Sequence, residues 1–148
     1  MKDQIQELEN IKIRYQFIQF CIVTLAILGS LFFSEVMKFP PCDLCWVQRV
    51  FMYPIFFIIL TGFYYQIKET YLFLHSLIGI GWGVSVYHNL IYYKIIPLIV
   101  PCSETSPCTA QQLNFLGFIT IPLLSLSAFT ALGVLQWLVF KSAKGSQK

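Results

Sequence analysis

The sequence Phe39-Pro40-Pro41-Cys42-Asp43-Leu44-Cys45-Trp46-Val47-Gln48-Arg49 places two cysteines at the mouth of a long apolar segment. Pro40 and Pro41 disfavour a helix up to this point, and the apolar run that follows favours one. Cys42 and Cys45 are therefore predicted to occupy the first turn of a helix. There the unpaired backbone N–H groups and the helix dipole favour thiolate over thiol, and the Cys-x-x-Cys spacing lets the two sulfurs form a disulfide.

Arg49 follows the two cysteines on the same predicted helix. At about 100° per residue, Cys42 and Arg49 lie almost in line, with Cys45 beside them. One helix face therefore carries two thiols and a permanent cation. Two simpler interpretations stay open: the cysteines form a structural disulfide or half of a zinc site, and Arg49 is only an anchor at the membrane boundary.

The composition is that of a membrane protein. Of the 148 residues, 57% are hydrophobic, 17% are aromatic and 11% are charged, which is far from the usage of a soluble domain. Four long stretches lack Asp, Glu, Lys and Arg, and each supplies roughly the 20 residues that a membrane-spanning helix needs. The sequence predicts an all-α membrane protein, an antiparallel bundle of four transmembrane helices in a single domain, residues 1–148. The predicted spans are residues 15–34, 46–66, 71–92 and 114–140, and the two short outer loops are residues 35–45 and 93–113.

The distribution of positive charge predicts the orientation in the membrane. If both termini are cytoplasmic, seven Lys and Arg residues lie inside and three lie outside, as the positive-inside rule requires. The outer three are Lys38, Arg49 and Lys94. Both cysteine-containing loops then lie on the outer, oxidising face, where disulfides persist. The net charge of +3 is too small to indicate a nucleic-acid partner.

Several residues in the predicted spans are interpreted as packing features. Gly79, Gly81 and Gly83 alternate along the third span and are expected to let neighbouring helices approach closely. Cys21, a lone thiol at bilayer depth, is expected to be a small packing residue. Pro122 lies inside the fourth predicted span, where it predicts a kink.

Two histidines bracket the third span. His75 is near its inner end, and His88 is about 20 Å further along at 1.5 Å per residue. Only His88 shares the level of Arg49, so it is either a polar residue of the headgroup zone or part of the functional site. Its neighbour Asn89 is expected to belong to the interfacial belt.

The second cysteine pair, Cys102 and Cys108, lies in the longer outer loop with five residues between the two. This spacing suits a small disulfide-closed loop and does not match the usual spacing of zinc knuckles. Two outward cysteine pairs, one on a loop and one at a helix start, are what a thiol–disulfide relay requires. The loop pair can reach a partner protein, and the helix pair can meet a molecule in the bilayer.

A quinone fits the chemistry at the helix pair. It is a lipid-soluble aromatic two-electron acceptor, and it would lie between helices with a carbonyl facing Arg49 and its ring close to Cys45. Arginine stabilises the developing negative charge on a carbonyl oxygen better in a low dielectric than in water. The arrangement therefore predicts electron transfer from thiols to a membrane quinone.

These features resemble the DsbB/BdbC-type quinone-dependent disulfide oxidoreductases over nearly the whole chain. In order, the resemblance rests on Pro41-Cys42-x-x-Cys45 followed by Arg49, on Tyr87-His88, on the Cys102/Cys108 loop, and on Phe115-Leu116-Gly117-Phe118 followed by Pro122.

The resemblance implies a role for each outer cysteine in a bacterial cell membrane. Cys102 would form the mixed disulfide with a secreted thioredoxin-fold oxidase of the DsbA/BdbD type, and Cys108 would attack Cys42. Cys45 would pass the electrons to menaquinone or ubiquinone. No metal is expected in such a site.

The resemblance also implies that Arg49 and His88 line the quinone site. Gln48 stands where other members carry an acid, so no proton role is assigned to it. The Cys102/Cys108 spacing is shorter than in the best-known proteobacterial members and is similar to the BdbC form.

Three alternatives belong to other classes. A vitamin K epoxide reductase-like enzyme also has four helices and two cysteine pairs, but there the Cys-x-x-Cys follows the loop pair, whereas here it comes first. A non-catalytic membrane subunit with two structural disulfides explains the cysteines but not Arg49 beside them. A zinc site built from all four outer cysteines would release zinc on acid treatment.

Overall fold

The structure is a computed structural model that describes residues 2–65, 68–97, 108 and 120–145. These residues form four α-helices: α1 (Lys2–Leu31), α2 (Asp43–Tyr65), α3 (Lys68–Tyr92) and α4 (Ile121–Gly145). A π-helical turn, Phe32–Val36, continues α1 at its end. The described residues contain no strand, which confirms the predicted all-α helix bundle.

The helices pack as a ring in chain order. α1 packs against α2, α2 against α3 and α3 against α4, and α4 closes the ring by packing against α1. Antiparallel neighbours follow from the short connections, since only residues 66–67 separate α2 from α3. The main core is formed by apolar side chains from all four helices: Val23, Met52, Ile55, Ile59, Leu74, Ile78, Phe129 and Leu132.

Three of the described helices are long and apolar enough to cross a membrane, namely the segments Asn10–Val36, Asp43–Phe63 and Ile121–Lys141. The predicted third span is the exception. α3 has 25 residues, which is sufficient length at 1.5 Å per residue, but its charged, histidine, serine and asparagine residues lower its hydropathy. Ser85, His88 and Asn89 of this helix are buried against its neighbours. These three polar side chains near the end of α3 therefore face protein, whereas His75 and Ser76 near its start are exposed.

Buried glutamines link α1 to the rest of the bundle. Gln19 Nε2 donates to Gln136 Oε1 of α4 at 3.0 Å, and Gln16 Nε2 donates to the carbonyl oxygen of Ile59 in α2 at 3.1 Å. A buried amide without a partner costs several kcal/mol in an apolar medium. These bonds therefore favour the observed rotation of α1 about its axis over others that would leave the amides unpaired.

The prolines are placed differently from the sequence prediction. Pro122 is in the first turn of α4, and the N–H of Leu124 donates to the carbonyl oxygen of Thr120 at 3.0 Å. A proline in the first turn removes an N–H that has no intrahelical partner anyway, so the predicted kink at Pro122 is wrong. Pro54, for which the sequence analysis makes no prediction, lies inside α2.

The three glycines of α3 do not share one role. A Cβ on Gly81 would overlap the ring of Phe129, which is 0% exposed. A Cβ on Gly79 or Gly83 would meet nothing within 4 Å. Close approach of α3 to α4 therefore depends on Gly81, and the expectation for the other two glycines is wrong.

Gly81→Ala is expected to destabilise the bundle by about 1 to 3 kcal/mol, because the added methyl group must displace the enclosed Phe129 ring. Gly79→Ala and Gly83→Ala are matched controls on the same helix and should leave stability unchanged or slightly raised, since alanine favours helix. Thermal unfolding in detergent measures all three. Equal midpoints for the three variants would contradict the Gly81 contact.

Candidate functional site

The first turn of α2 presents the Cys42/Cys45 pair. Cys42 is the residue before the helix, and its carbonyl oxygen accepts from the N–H of Trp46 at 3.1 Å. Its Sγ accepts from the backbone N–H of Cys45 at 3.3 Å, so the sulfur caps one of the N–H groups that a helix start leaves unpaired. Cys42 is buried and Cys45 is half-buried, and both are free thiols. The predicted position of the pair at a helix start is thus observed.

His88 lies against the first of these thiols. Its Nε2 is 3.7 Å from Cys42 Sγ, and its Nδ1 is 3.2 Å from Gln48 Nε2. With the Gln48 amide in this orientation, its nitrogen donates to Nδ1, and the ring proton lies on Nε2, facing the sulfur. His88 is 1% exposed. This burial does not fit the interpretation of His88 as a polar residue of the membrane headgroup zone.

The helix start does not lower the pKa of the Cys42 thiol, contrary to the sequence expectation. The side-chain hydrogen bond with Cys45 raises that pKa most, and burial raises it further, while the hydrogen bond with His88 acts in the opposite direction. One proton is in effect shared between two neighbouring sulfurs, and Cys42 retains it.

The loop cysteines are described in part. Cys108 is buried and disulfide-bonded, and it shares one apolar cluster with Cys42, Leu44 and Ile91. Cys45 packs against the same cluster. Cys102 lies outside the described residues, as does the start of the predicted fourth span. The structure thus brings one loop cysteine to the helix pair, and the role of each cysteine stays a prediction.

Arg49 lies one turn further into α2 than Cys45. Its Nε donates to Ser30 Oγ at 2.8 Å and its Nη2 to the Ser30 carbonyl oxygen at 2.8 Å. The guanidinium carbon also lies 5.4 Å from the centre of the Trp46 ring. Although it is charged, Arg49 is only 9% exposed. Ser30 is its hydrogen-bond partner among the described residues, which leaves the Nη1 group for a ligand.

A cavity of about 580 Å³ opens beside Arg49 between α1, α2 and α4. Its polar groups include Cys45, Gln48 and Arg49, and its walls are mainly apolar. The aromatic residues in the lining are Phe33, Phe39, Tyr53 and Phe129. Apolar walls with a few convergent polar groups are typical of sites for small organic ligands. The donor set fits a quinone, since a guanidinium N–H can bind a carbonyl and a thiol can donate electrons.

The structure separates the two residues predicted to bind the quinone. Arg49 lines the cavity, whereas His88 is not among its lining residues and faces Cys42 instead. Gln48 joins the two places, because it lines the cavity and also contacts the His88 ring. His88 therefore reaches the site through Cys42 and Gln48.

Sequence reasoning missed Ser30, named Gln48 without assigning it a role, and misplaced Asn89. Asn89 is buried and donates through Nδ2 to the carbonyl oxygens of Ser85 and Pro122, both at 2.8 Å. It fixes α3 to the start of α4 and does not lie in the interfacial belt. Gln48 follows Cys45 by three residues, and this helical spacing was the available signal for it, but nothing in the sequence marks Ser30.

Comparison with known proteins places these features in one family. The model of the family described as "Disulfide bond formation protein DsbB" matches residues 13–139. "Probable disulfide formation protein C 1" of Bacillus anthracis is 41% identical over 123 residues, which cover 80% of this chain and 86% of the relative. "Disulfide bond formation protein C" of Bacillus subtilis is 38% identical over 120 residues, with the same coverage. No solved structure matches the chain.

Proposed function

The chain belongs to the DsbB family of membrane proteins for disulfide bond formation, and from this premise we propose that it is a quinone-dependent thiol–disulfide oxidoreductase. It reoxidises an extracytoplasmic thioredoxin-fold dithiol oxidase of the DsbA/BdbD type and passes the electrons to the membrane quinone pool. The acceptor is a membrane quinone such as menaquinone or ubiquinone.

The observation that carries the proposal is that a free thiol, Cys45, and a guanidinium fixed by hydrogen bonds, that of Arg49, line the same cavity. Cys45 and Arg49 both line it, and the free thiol Cys42 lies beside Cys45 at the helix start. A non-catalytic subunit with structural disulfides explains neither the free dithiol nor an arginine fixed by two hydrogen bonds at the cavity wall. Burying a guanidinium in a membrane span costs on the order of 2 to 3 kcal/mol. This cost favours a functional role for Arg49 over a purely structural one.

The reaction balances as two exchanges and one oxidation. The partner's dithiol reduces the Cys102/Cys108 disulfide, and the resulting loop dithiol reduces the disulfide form of the Cys42/Cys45 pair. Closing the Cys42–Cys45 disulfide again releases two electrons and two protons. The quinone supplies the two-electron, two-proton acceptor.

Protein groups around the helix pair stabilise the negative charge that develops on the Cys42 sulfur and on the quinone carbonyl oxygen. When Cys42 leaves a disulfide, the Nε2–H of His88 faces its sulfur and stabilises the thiolate by a hydrogen bond. In this tautomer the Gln48 amide nitrogen donates to Nδ1 of the same ring. Arg49 binds a carbonyl oxygen and stabilises negative charge on it, and Ser30 keeps the guanidinium in place beforehand.

We also propose that both termini are cytoplasmic and that the cysteine loops face outwards in a bacterial cell membrane, on the seven-to-three distribution of Lys and Arg. Single cysteines introduced at Lys68 and Ile95, in a background with the native cysteines replaced by serine, report the orientation. An impermeant maleimide added to intact cells should label Ile95→Cys and spare Lys68→Cys. The reverse pattern would overturn the orientation.

Arg49→Lys is expected to raise the apparent KM for quinone by about tenfold or more, since lysine keeps the charge but not the planar fork that binds Ser30 and a carbonyl together. Thiol exchange with the reduced partner in a single turnover without quinone should persist, because it does not involve the guanidinium. Steady-state quinone reduction and quinone-free single turnover measure the two steps separately.

Arg14→Lys is the matched control for this substitution. Arg14 is the chain's other arginine and is exposed on α1, so its replacement should change neither measurement. Normal quinone kinetics in Arg49→Lys would reduce Arg49 to a boundary anchor and remove the main support for the quinone site.

A further inference from the structure

We propose that the dithiol form of the helix pair, together with His88, is a three-ligand site for a thiophilic divalent cation such as Zn²⁺ or Cd²⁺. The ligands are Cys42 Sγ, Cys45 Sγ and the Nε2 of His88. Binding would exclude disulfide closure, because the same two sulfurs serve both. The binding itself does not depend on the proposed function, whereas its effect on turnover rests on that function.

The ligand atoms are already at coordination spacing. One ligand atom from each of Cys42, Cys45 and His88 lies within 4.8 Å of the other two, and Cys42 Sγ is 3.7 Å from His88 Nε2. With Zn–S of about 2.3 Å and Zn–N of about 2.0 to 2.1 Å, a tetrahedral ion sets its sulfur and nitrogen ligands about 3.6 Å apart. The sulfur-to-nitrogen distance thus needs little adjustment.

Gln48 provides the outer contact that a metal-binding histidine requires. Metal-bound histidines donate their other ring N–H to an acceptor, which fixes the ring and the tautomer. Turning the Gln48 amide by 180° places Oε1 where Nε2 now contacts Nδ1 of His88. Nδ1 then carries the proton, and the Nε2 lone pair is free to bind the cation. One buried amide therefore serves both tautomers of His88.

Charge and burial also suit a divalent cation. Two thiolates and a neutral imidazole balance a 2+ ion, so the complex carries no net charge, and the two protons of the thiols are released. A neutral complex avoids the desolvation cost of a buried ion and tolerates Arg49 one turn away. Cys42 and His88 are buried, while Cys45 also lines the cavity. The fourth position of the ion can be taken by water from that side.

The functional consequence is that a bound cation would keep the Cys42/Cys45 pair in its reduced form. A cation can bind only after electrons have arrived at the helix pair, and it then holds the pair reduced. Metal in the outer compartment would thus stop the relay at the dithiol stage and would leave the disulfide form untouched.

Cadmium titration of the purified full-length chain in detergent tests the site. The variant used carries Cys21→Ser, Cys102→Ser and Cys108→Ser, so the helix pair supplies the remaining thiols. After reduction, Cd²⁺ should produce a thiolate-to-cadmium charge-transfer absorbance that saturates at one ion per chain. The same sample oxidised with diamide should give no such band. An equal band after oxidation, or saturation at one ion per two chains, would overturn the proposal.

A second comparison isolates the histidine. His88→Gln should weaken Cd²⁺ binding by more than about tenfold, and Gln48→Leu by about 10- to 100-fold. His75→Gln is the control, since His75 is exposed and about 20 Å away along α3. Unchanged affinity in His88→Gln would show a site made of the two thiols alone and would contradict the assignment. Cadmium binding is read without quinone, so its loss and the loss of quinone reduction are distinguishable.

Discussion

The packing of Cys42 against His88 is the contact on which the site depends. Pro40 and Pro41 stop the chain from entering α2 early, and the Cys42 sulfur and carbonyl oxygen cap the first turn. This fixes the sulfur at the helix start, where the ring of His88 from α3 meets it at 3.7 Å. A shift of α2 by one residue would turn Cys42 by about 100° away from that ring. The register of α2 therefore decides whether Cys42 has a hydrogen-bond partner on α3.

The same register divides the site into two compartments. On the α3 side, Cys42, His88 and the Cys108 cluster form a closed environment suited to thiol exchange. On the side of α1 and α4, Cys45 and Arg49 face an apolar cavity suited to a lipid-soluble acceptor. Gln48 contacts both. Electrons arriving at Cys42 and leaving from Cys45 would thus pass from the closed cluster to the cavity within a single helical turn.

The sequence was sufficient where the structure depends on local rules. Consecutive prolines before an apolar run predicted the start of α2, and uncharged stretches predicted the helix bundle. The sequence was insufficient for features that depend on which helices are neighbours in the bundle. Periodicity placed Cys42 and Arg49 on one face of α2, but it could not show that α3 covers the first and α1 binds the second. For the same reason His88 was grouped with Arg49 by depth, and Gly81 could not be distinguished from Gly79 and Gly83.

Oxidation of the Cys42/Cys45 pair by quinone is the reaction that tests the proposed electron transfer most directly. The reduced chain, with Cys21, Cys102 and Cys108 replaced by serine, is mixed anaerobically with one equivalent of a soluble quinone, and quinol and free thiols are both counted. We expect one quinol formed and two thiols lost per chain, with a Cys42–Cys45 disulfide found by mass spectrometry. Unreacted thiols beside oxidised quinone would contradict this expectation, as would equal quinone reduction by the same chain carrying Cys45→Ala.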